Sequence, residues 1–243
     1  MEARLAMISA LNLDSFPAQL RALVIGASGG IGAAFVRALR NASTQYHVEE
    51  LHRHSVPLID FSDEQTIQRA AQHLAAHGPF HLIINATGIL HSNDLMPEKK
   101  LSDLQYDQLK TVFEINTFGP ALVMRHFAPL LDSQRGVMVM LSAKVGSIED
   151  NRLGGWYSYR ASKAALNMLV KTAAIELKRS QKNTVLLALH PGTVQTGLSQ
   201  PFRGGSAARQ ADEAVVDMLN VINQKMPEQS GNFYTYGDEQ LPW

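Results

Sequence analysis

The sequence predicts a doubly wound α/β domain, a mostly parallel sheet of about seven strands with helices on both faces. Three observations predict it. Short aliphatic or β-branched runs alternate with longer stretches of helical period, turn residues separate the two, and several runs are apolar on both faces, as strands covered from both sides must be. The 243 residues, 45% of them hydrophobic, suffice for one such domain with a sizeable core.

In chain order the first strand is ALVIGA (22–27), aliphatic up to a glycine loop, and a helix over about 30–41 leaves that loop. HVEELHR (47–53) is the second strand, and a helical stretch over 63–77 follows. FHLIINA (80–86) is the third, almost wholly apolar, ahead of a long helical stretch over 101–131. GVMVMLS (136–142) and TVLLALH (184–190) flank a helix over 157–180. A helix over 210–225 and a last strand, NFYTYG (232–237), complete the alternation. Right-handed crossovers between parallel strands then place helices on both sheet faces. Residues 1–21 are expected to be an extension lying on the surface, ahead of a single domain over 22–243.

Composition narrows the functions open to this chain. Lys plus Arg equals Asp plus Glu at 22 each, so no net field draws nucleic acid or an anionic membrane, and neither partner is expected. Cysteine is absent, which excludes disulfides, thiolate zinc ligands and a thiol nucleophile, and points to a reducing, cytoplasmic setting. No apolar run approaches the roughly 18 to 20 residues that span a bilayer. The opening MEARLAMISALNLDSFPAQL carries Glu2 and Asp14 where a signal peptide would need a clean apolar stretch. No metal site is predicted among the nine His: His52, His54, His73 and His77 read as surface residues, and His73 and His77, four apart, have no acid or catalytic neighbour in the sequence.

Directly after the first strand stands GASGGIG, Gly26 to Gly32, opening into AAFVRALR. Glycines suit a tight turn whose backbone must approach a pyrophosphate while a helix N-terminus turns its N–H groups and positive dipole to the phosphates. Gly26, Ser28, Gly29, Gly30, Ile31 and Gly32 are therefore the candidate phosphate contacts. The spacing fits G-x-x-x-G-x-G through Gly26, Gly30 and Gly32, and also G-x-x-G-x-x-G through Gly26, Gly29 and Gly32. A flexible strand-to-helix turn without a ligand is the bland reading.

Further segments follow in a fixed order: Asp60 in LIDFSD, INATG (84–88), INTFG (115–119), LSAKVGS (141–147), YRASK (159–163) and HPGTVQT (190–196). On these the chain resembles the short-chain dehydrogenase/reductases of the compact, single-domain branch, from about residue 22 to the C-terminus. Within that family GSIEDNRLGGWYSYRASKAALNML and the ending GDEQLPW are most similar to the C-factor-like and sniffer-like carbonyl reductases. The extended branch needs a C-terminal substrate domain for which this chain has no room, which favours G-x-x-x-G-x-G.

The stretch YSYRASK (157–163) offers two phenols, and chemistry selects one. A phenol of pKa about 10 is a poor acid or base near neutrality, and a Lys ammonium one helical turn away favours its phenolate. Tyr159 and Lys163 stand at i and i+4 on one helix face, whereas Tyr157 has no Lys at that spacing. A surface Tyr–Lys pair is the alternative. The resemblance implies that Lys163 also holds the nicotinamide ribose and that Asn116 organises a proton relay to it; Asn116 as a turn or capping residue is the other reading. The same resemblance places a carbonyl-positioning Ser three residues before a Gly, but counting back from Gly146 reaches Ala143. Ser142 is preferred for that role, as a strand-end hydroxyl beside the Tyr helix; Ser147, or no hydroxyl at all, are the alternatives.

The second strand closes in LHRHS, so Arg53 stands where an NAD site would offer an acid, and NADP(H) is favoured over NAD(H). The competing alignment puts Glu50 at the acid position. The resemblance implies that Asp60 and Phe61 flank the adenine, that Asn85, Ala86, Thr87 and Gly88 line the adenosine ribose, and that Pro191, Gly192, Val194 and Thr196 close over the nicotinamide. GLSQPFRGGSAARQ (197–210) is where the family places a substrate lid, with Arg203 and Arg209 open to an anionic substrate or simply solvated. Trp156, Met96 and Leu153 could form an apolar wall. The expectation is an NADPH-dependent carbonyl reductase acting on a small carbonyl or alcohol, as a homodimer or homotetramer. A cofactor-binding signalling or sensor protein with little turnover is the rival.

Overall fold

The computed structural model describes residues 11, 13–202 and 208–243. Six strands form one sheet in the order β2-β1-β3-β4-β5-β6, every neighbouring pair parallel, against about seven expected. The strands are β1 (Arg21–Ile25), β2 (His47–Leu51), β3 (Leu82–Asn85), β4 (Gly136–Leu141), β5 (Thr184–His190) and β6 (Phe233–Thr235). Side chains alternate across a strand, and both faces are apolar here. In β1, Ala22 and Val24 enter one core layer while Leu23 and Ile25 enter the other.

The first layer is covered by α1 (Gly30–Ala42) and α6 (Ala211–Gln224), which bury Phe35, Leu39, Met218 and Leu219. On the second lie α2 (Glu64–Leu74), α4 (Gly119–Phe127) and α5 (Tyr157–Ser180), which bury Ile67, Val123, Leu166 and Val170. From β1 the chain runs outward to β2 and then returns to β3 on the other side of β1. The loops leaving β1 and β3 therefore part at their C-terminal ends, and such a reversal of strand order opens a crevice.

Two segments differ from expectation. The helical stretch over 101–131 is broken into α3 (Tyr106–Phe113), a π turn (Glu114–Phe118) and α4. Apolar periodicity continues through the break, but the wider turn lets Asn116 reach out of the helix, as described below. The described part of the N-terminal segment is packed rather than laid on the surface: Leu13, Phe16 and Leu20 belong to the first core layer. Arg135 holds it there, its guanidinium 4.9 Å from the Phe16 ring centre and donating to Ser15 Oγ at 2.9 Å.

Candidate active site

The glycine loop shapes the floor of the crevice. Gly26 has φ +85° and donates to Leu51 O at 2.8 Å, tying the loop to the end of β2. A Cβ on Gly32 would lie 2.1 Å from Gly26 O, and one on Gly30 would lie 2.8 Å from Thr196 Cγ2, so the close returns of this loop need glycine. Helix α1 starts from Gly29 with no side-chain cap, which leaves its first N–H groups for a ligand. A cavity of about 530 Å³ is lined by Gly26, Ser28, Gly29, Arg53, Asp60, Phe61, Ala86, Thr87 and Gly88, all read from the sequence, together with His52, Ile59, Ser62 and Ile89, which were not. A glycine cradle at a helix N-terminus opening on a cavity of this size fits a dinucleotide.

Arg53 lines this cavity. Glu50 turns instead to Arg40, at 2.7 Å. Asp60 is held below the usual carboxylate range by Ser62, whose backbone N–H and hydroxyl both donate to it, with Arg53 adding a smaller pull in the same direction. Asn85, Gly32, Gly192 and Val194 support rather than line. Asn85 Oδ1 accepts the Thr87 hydroxyl at 2.9 Å, Gly192 has φ +77° beneath the Tyr236 ring, and Val194 is in the core.

A second cavity of about 290 Å³ continues from the first and is lined by Gly29, Gly30, Ile31, Leu141, Ser142, Tyr159, Lys163, Pro191, Thr196 and Leu198. Tyr159 and Lys163 reach it from one face of α5, and both are buried. Lys163 Nζ donates to Leu141 O at 2.9 Å and lies 6.0 Å from the centre of the Tyr159 ring. Contrary to the lowering expected from Lys163, burial governs both groups, pushing the phenol up to about 12 and the ammonium down to about 8. At neutral pH Tyr159 is thus a protonated phenol beside a charged lysine. Asn116, fully buried in the π turn, accepts the Ile89 N–H at Oδ1 and donates from Nδ2 to Ile89 O, each at 2.8 Å, and also reaches Ser162 Oγ at 3.2 Å.

Of the two candidate serines, Ser142 stands at the second cavity as expected and Ser147 does not. Ser142 borders the second cavity, but its hydroxyl donates to Asn167 Oδ1 at 2.6 Å within the core. Ser147 Oγ donates to Trp243 O at 3.3 Å and accepts the Asp150 N–H. Ala143 has extended backbone, φ −141° and ψ 140°, and packs with Leu90 and Tyr159, but it lines neither cavity.

Trp156 joins that apolar patch, 5.1 Å from Phe202 and 6.2 Å from Tyr159 between ring centres, with Val145 and Leu198 beside them. Met96 and Leu153 do not, being largely exposed. Part of the expected lid, Arg203 included, lies outside the described residues. Arg209 is tied up, paired with Asp217 and 4.4 Å from the Tyr236 ring centre. His77 does have an acid beside it, Glu49 at 2.8 Å, brought from β2. Among the described residues no group of three or more His, Cys, Asp or Glu stands together to hold a metal.

Glu98 was missed altogether. It is 3% exposed, its carboxylate accepts both the backbone N–H and the hydroxyl of Ser158, and its carbonyl accepts the Trp156 N–H at 2.5 Å. It thereby caps the helix carrying Tyr159, whose own capping position, Trp156 at φ +54°, supplies no side-chain bond.

Comparison with known proteins agrees with this geometry. The family model for short chain dehydrogenases matches residues 21–206. A 1-hydroxy-2-glutathionyl-2-methyl-3-butene dehydrogenase of Rhodococcus sp. is 30% identical over 230 residues, 91% of this chain and 98% of that protein. The C-signal protein of Myxococcus xanthus is 36% identical over 169 residues, 68% of this chain and 94% of that one. Among solved structures, an NADPH-bound carbonyl reductase from chicken fatty liver superposes with a TM-score of 0.80 at 24% identity, covering 98% of each chain.

Proposed function

The chain belongs to the short-chain dehydrogenase family, and from that premise we propose that it is an NADP(H)-dependent carbonyl reductase, reversible as an alcohol dehydrogenase, with Tyr159 as its general acid and base. The observation that carries this reading is the pairing of Tyr159 and Lys163 on one buried helix face, in a cavity continuous with the glycine cradle. NADP(H), gripped by the glycine loop, Arg53 and the 191–196 segment, would supply or accept the hydride. The choice of NADP(H) is supported by Arg53 lining the cavity while Glu50 is engaged with Arg40, and by the NADPH held in the chicken carbonyl reductase.

Tyr159 gives its proton to the carbonyl oxygen. A phenol pushed up to about 12 keeps that proton throughout the neutral range but is a weak acid, so its transfer depends on stabilisation of the phenolate as it forms. Once it is given, the phenolate is stabilised by the Lys163 ammonium one turn along the helix. In the oxidising direction Tyr159 must first lose its proton, so alcohol oxidation gains with rising pH. Asn116 keeps Ile89 and the residues before it in place, and Leu141 O orients Lys163. Ser142 borders the cavity with its hydroxyl held by Asn167, and the patch around Trp156 suits an apolar carbonyl.

The experiment is a screen of carbonyl compounds for NADPH consumption, repeated on Tyr159→Phe. Removing one hydroxyl should leave fold and cofactor affinity intact and lower turnover by roughly 10²- to 10⁴-fold; unchanged turnover refutes the mechanism. A second reading is a cofactor-binding signalling protein with little turnover. It is favoured by the likeness to C-signal and by the Ser142 hydroxyl being engaged with Asn167, and it predicts NADPH binding with no consumption across the screen. We place the chain in the cytoplasm, among the described residues no helix being long and apolar enough to cross a membrane. We further propose a homodimer or homotetramer, because Phe118, Met168 and Ile175 stand exposed on and beside α4 and α5; light scattering at micromolar concentration tests it, and a lone monomer refutes it.

A further inference from the structure

We propose that Glu98 is a positioning residue for Tyr159: from the loop after β3 it fixes the backbone turn that starts α5, and with it the setting of the phenol and of the Trp156 ring behind it. The inference rests on the reading of Tyr159 as general acid and base.

A helix is ordinarily capped by a short polar side chain at its own capping position, which accepts one of the first free N–H groups. In α5 that position belongs to Trp156, whose indole can only donate. Its φ of +54° follows +63° at Gly154 and +65° at Gly155. Three residues in succession therefore lie in the left-handed region, and the third carries a bulky side chain where glycine is at ease. Such a turn persists only when its surroundings hold it. Two side chains do so. Arg160 takes the carbonyls, donating from Nε to Gly154 O at 3.2 Å and Gly155 O at 2.9 Å and from Nη1 to Val145 O at 3.2 Å. Glu98 takes the donors: its main-chain oxygen accepts the Trp156 N–H at 2.5 Å, and its carboxylate accepts the Ser158 N–H at 3.1 Å and the Ser158 hydroxyl. The carboxylate also stands at the positive end of the α5 dipole, whose own first turn has no acid.

Tyr159 follows Ser158 directly, so a bond that fixes Ser158 fixes the root of the phenol. Trp156 meets the Tyr159 ring edge to face, with centres 6.2 Å apart and planes at 76°, and meets Phe202 at 5.1 Å. Tyr159 lines the second cavity and Trp156 lines neither, so the indole acts on the site through the phenol it supports. A turn released toward ordinary φ would carry the indole off that contact and let the phenol tilt. The glycine cradle is built on β1 and α1, and the Lys163 ammonium is tied separately to Leu141 O. Loss of Glu98 should therefore reach the proton donor and spare the cofactor. Misplacing a reacting group by about 1 Å can cost about 10²-fold in rate.

The test uses the full chain carrying Trp243→Phe, so that Trp156 is its single tryptophan. Assays run in the cold, with circular dichroism confirming the fold, and follow NADPH oxidation with 4-nitrobenzaldehyde as the probe. Glu98→Ala should lower kcat about tenfold or more, change KM and NADPH affinity less than about threefold, and move the Trp156 emission to longer wavelength. Glu98→Gln, whose amide oxygen can still accept the Ser158 N–H, should return most of the lost turnover and the native spectrum. A cap that merely stabilises the helix would leave kcat and emission of the folded protein unchanged, and that result overturns the proposal. If Glu98→Ala does not fold, Ser158→Ala removes one of the three bonds instead, and native kcat with native emission in that variant overturns the proposal likewise. Tyr159→Phe in the same assay judges the underlying reading. Native turnover in Tyr159→Phe, or no NADPH consumption by the native protein, removes the reading and the proposal together; lost turnover there beside native kcat in Glu98→Ala removes the proposal alone.

Discussion

Lowering the pH from 7 to 4 is expected to cost the fold about 3 kcal/mol through His190 alone. This residue ends β5, and its Nδ1 is buried without a hydrogen-bond partner among the described residues. Burial first, and the Lys144 ammonium second, push its pKa from 6.5 down to about 4. Between those values the unfolded chain binds a proton that the folded chain refuses, so stability is full above about pH 6.5, declines through the window and levels off below about pH 4. At about 1.4 kcal/mol per pH unit, the window amounts to roughly 3 kcal/mol. The assay is urea unfolding at pH 7 and pH 4 on the native protein and on His190→Asn. Other titrating groups act equally in both proteins, so the difference between the two pH responses isolates His190. Equal losses in native and variant would refute the reasoning.

Arg53→Asp should weaken NADPH binding by about one to two orders of magnitude and turn preference toward NADH, because a cation facing the 2′-phosphate is replaced by an anion. Calorimetric titration of both cofactors measures it, and equal affinity of the native protein for the two would remove Arg53 from the site. Gly32→Ala should weaken cofactor binding at least about tenfold, since its Cβ would stand 2.1 Å from Gly26 O and the loop must open to admit it. Native cofactor affinity in that variant, read by thermal shift with NADPH, would contradict the cradle. Glu98→Ala should cost about 1 to 3 kcal/mol in urea unfolding by leaving the Ser158 N–H and hydroxyl unsatisfied inside the protein; a loss under about 0.5 kcal/mol would mean that solvent replaces it.

Much of this was legible because it is local. Alternating apolar strands, a glycine loop between strand and helix, and a Tyr–Lys pair at i and i+4 are patterns within a few residues, and each was found where it was read. What depends on distant partners was not legible. Glu98 is an unremarkable acid until the fold brings Ser158, 60 residues further on, to its carboxylate. The π turn at Asn116 is invisible to periodicity, since the apolar spacing runs on through it and the partner of Asn116, Ile89, lies 27 residues away. Ser142 illustrates the limit of spacing: the motif's count falls on Ala143, yet it is Ser142 that borders the cavity, and its tie to Asn167, 25 residues further on, is set by the fold. The apolar spacing of Leu13, Phe16 and Leu20 was a signal present in the sequence and passed over.

The bridge from Asn116 to Ile89 lets a side-chain amide act as one peptide unit of an absent strand. Its oxygen and nitrogen take up both backbone groups of Ile89, four residues beyond the last residue of β3. The segment lining both cavities is thereby held straight without belonging to the sheet, and its edge stays uncovered on the side where a ligand would lie. Rigidity there comes before binding. In hydrogen-exchange measurements without cofactor the Ile89 amide should accordingly be as slow as those within β3, and binding should slow it little further.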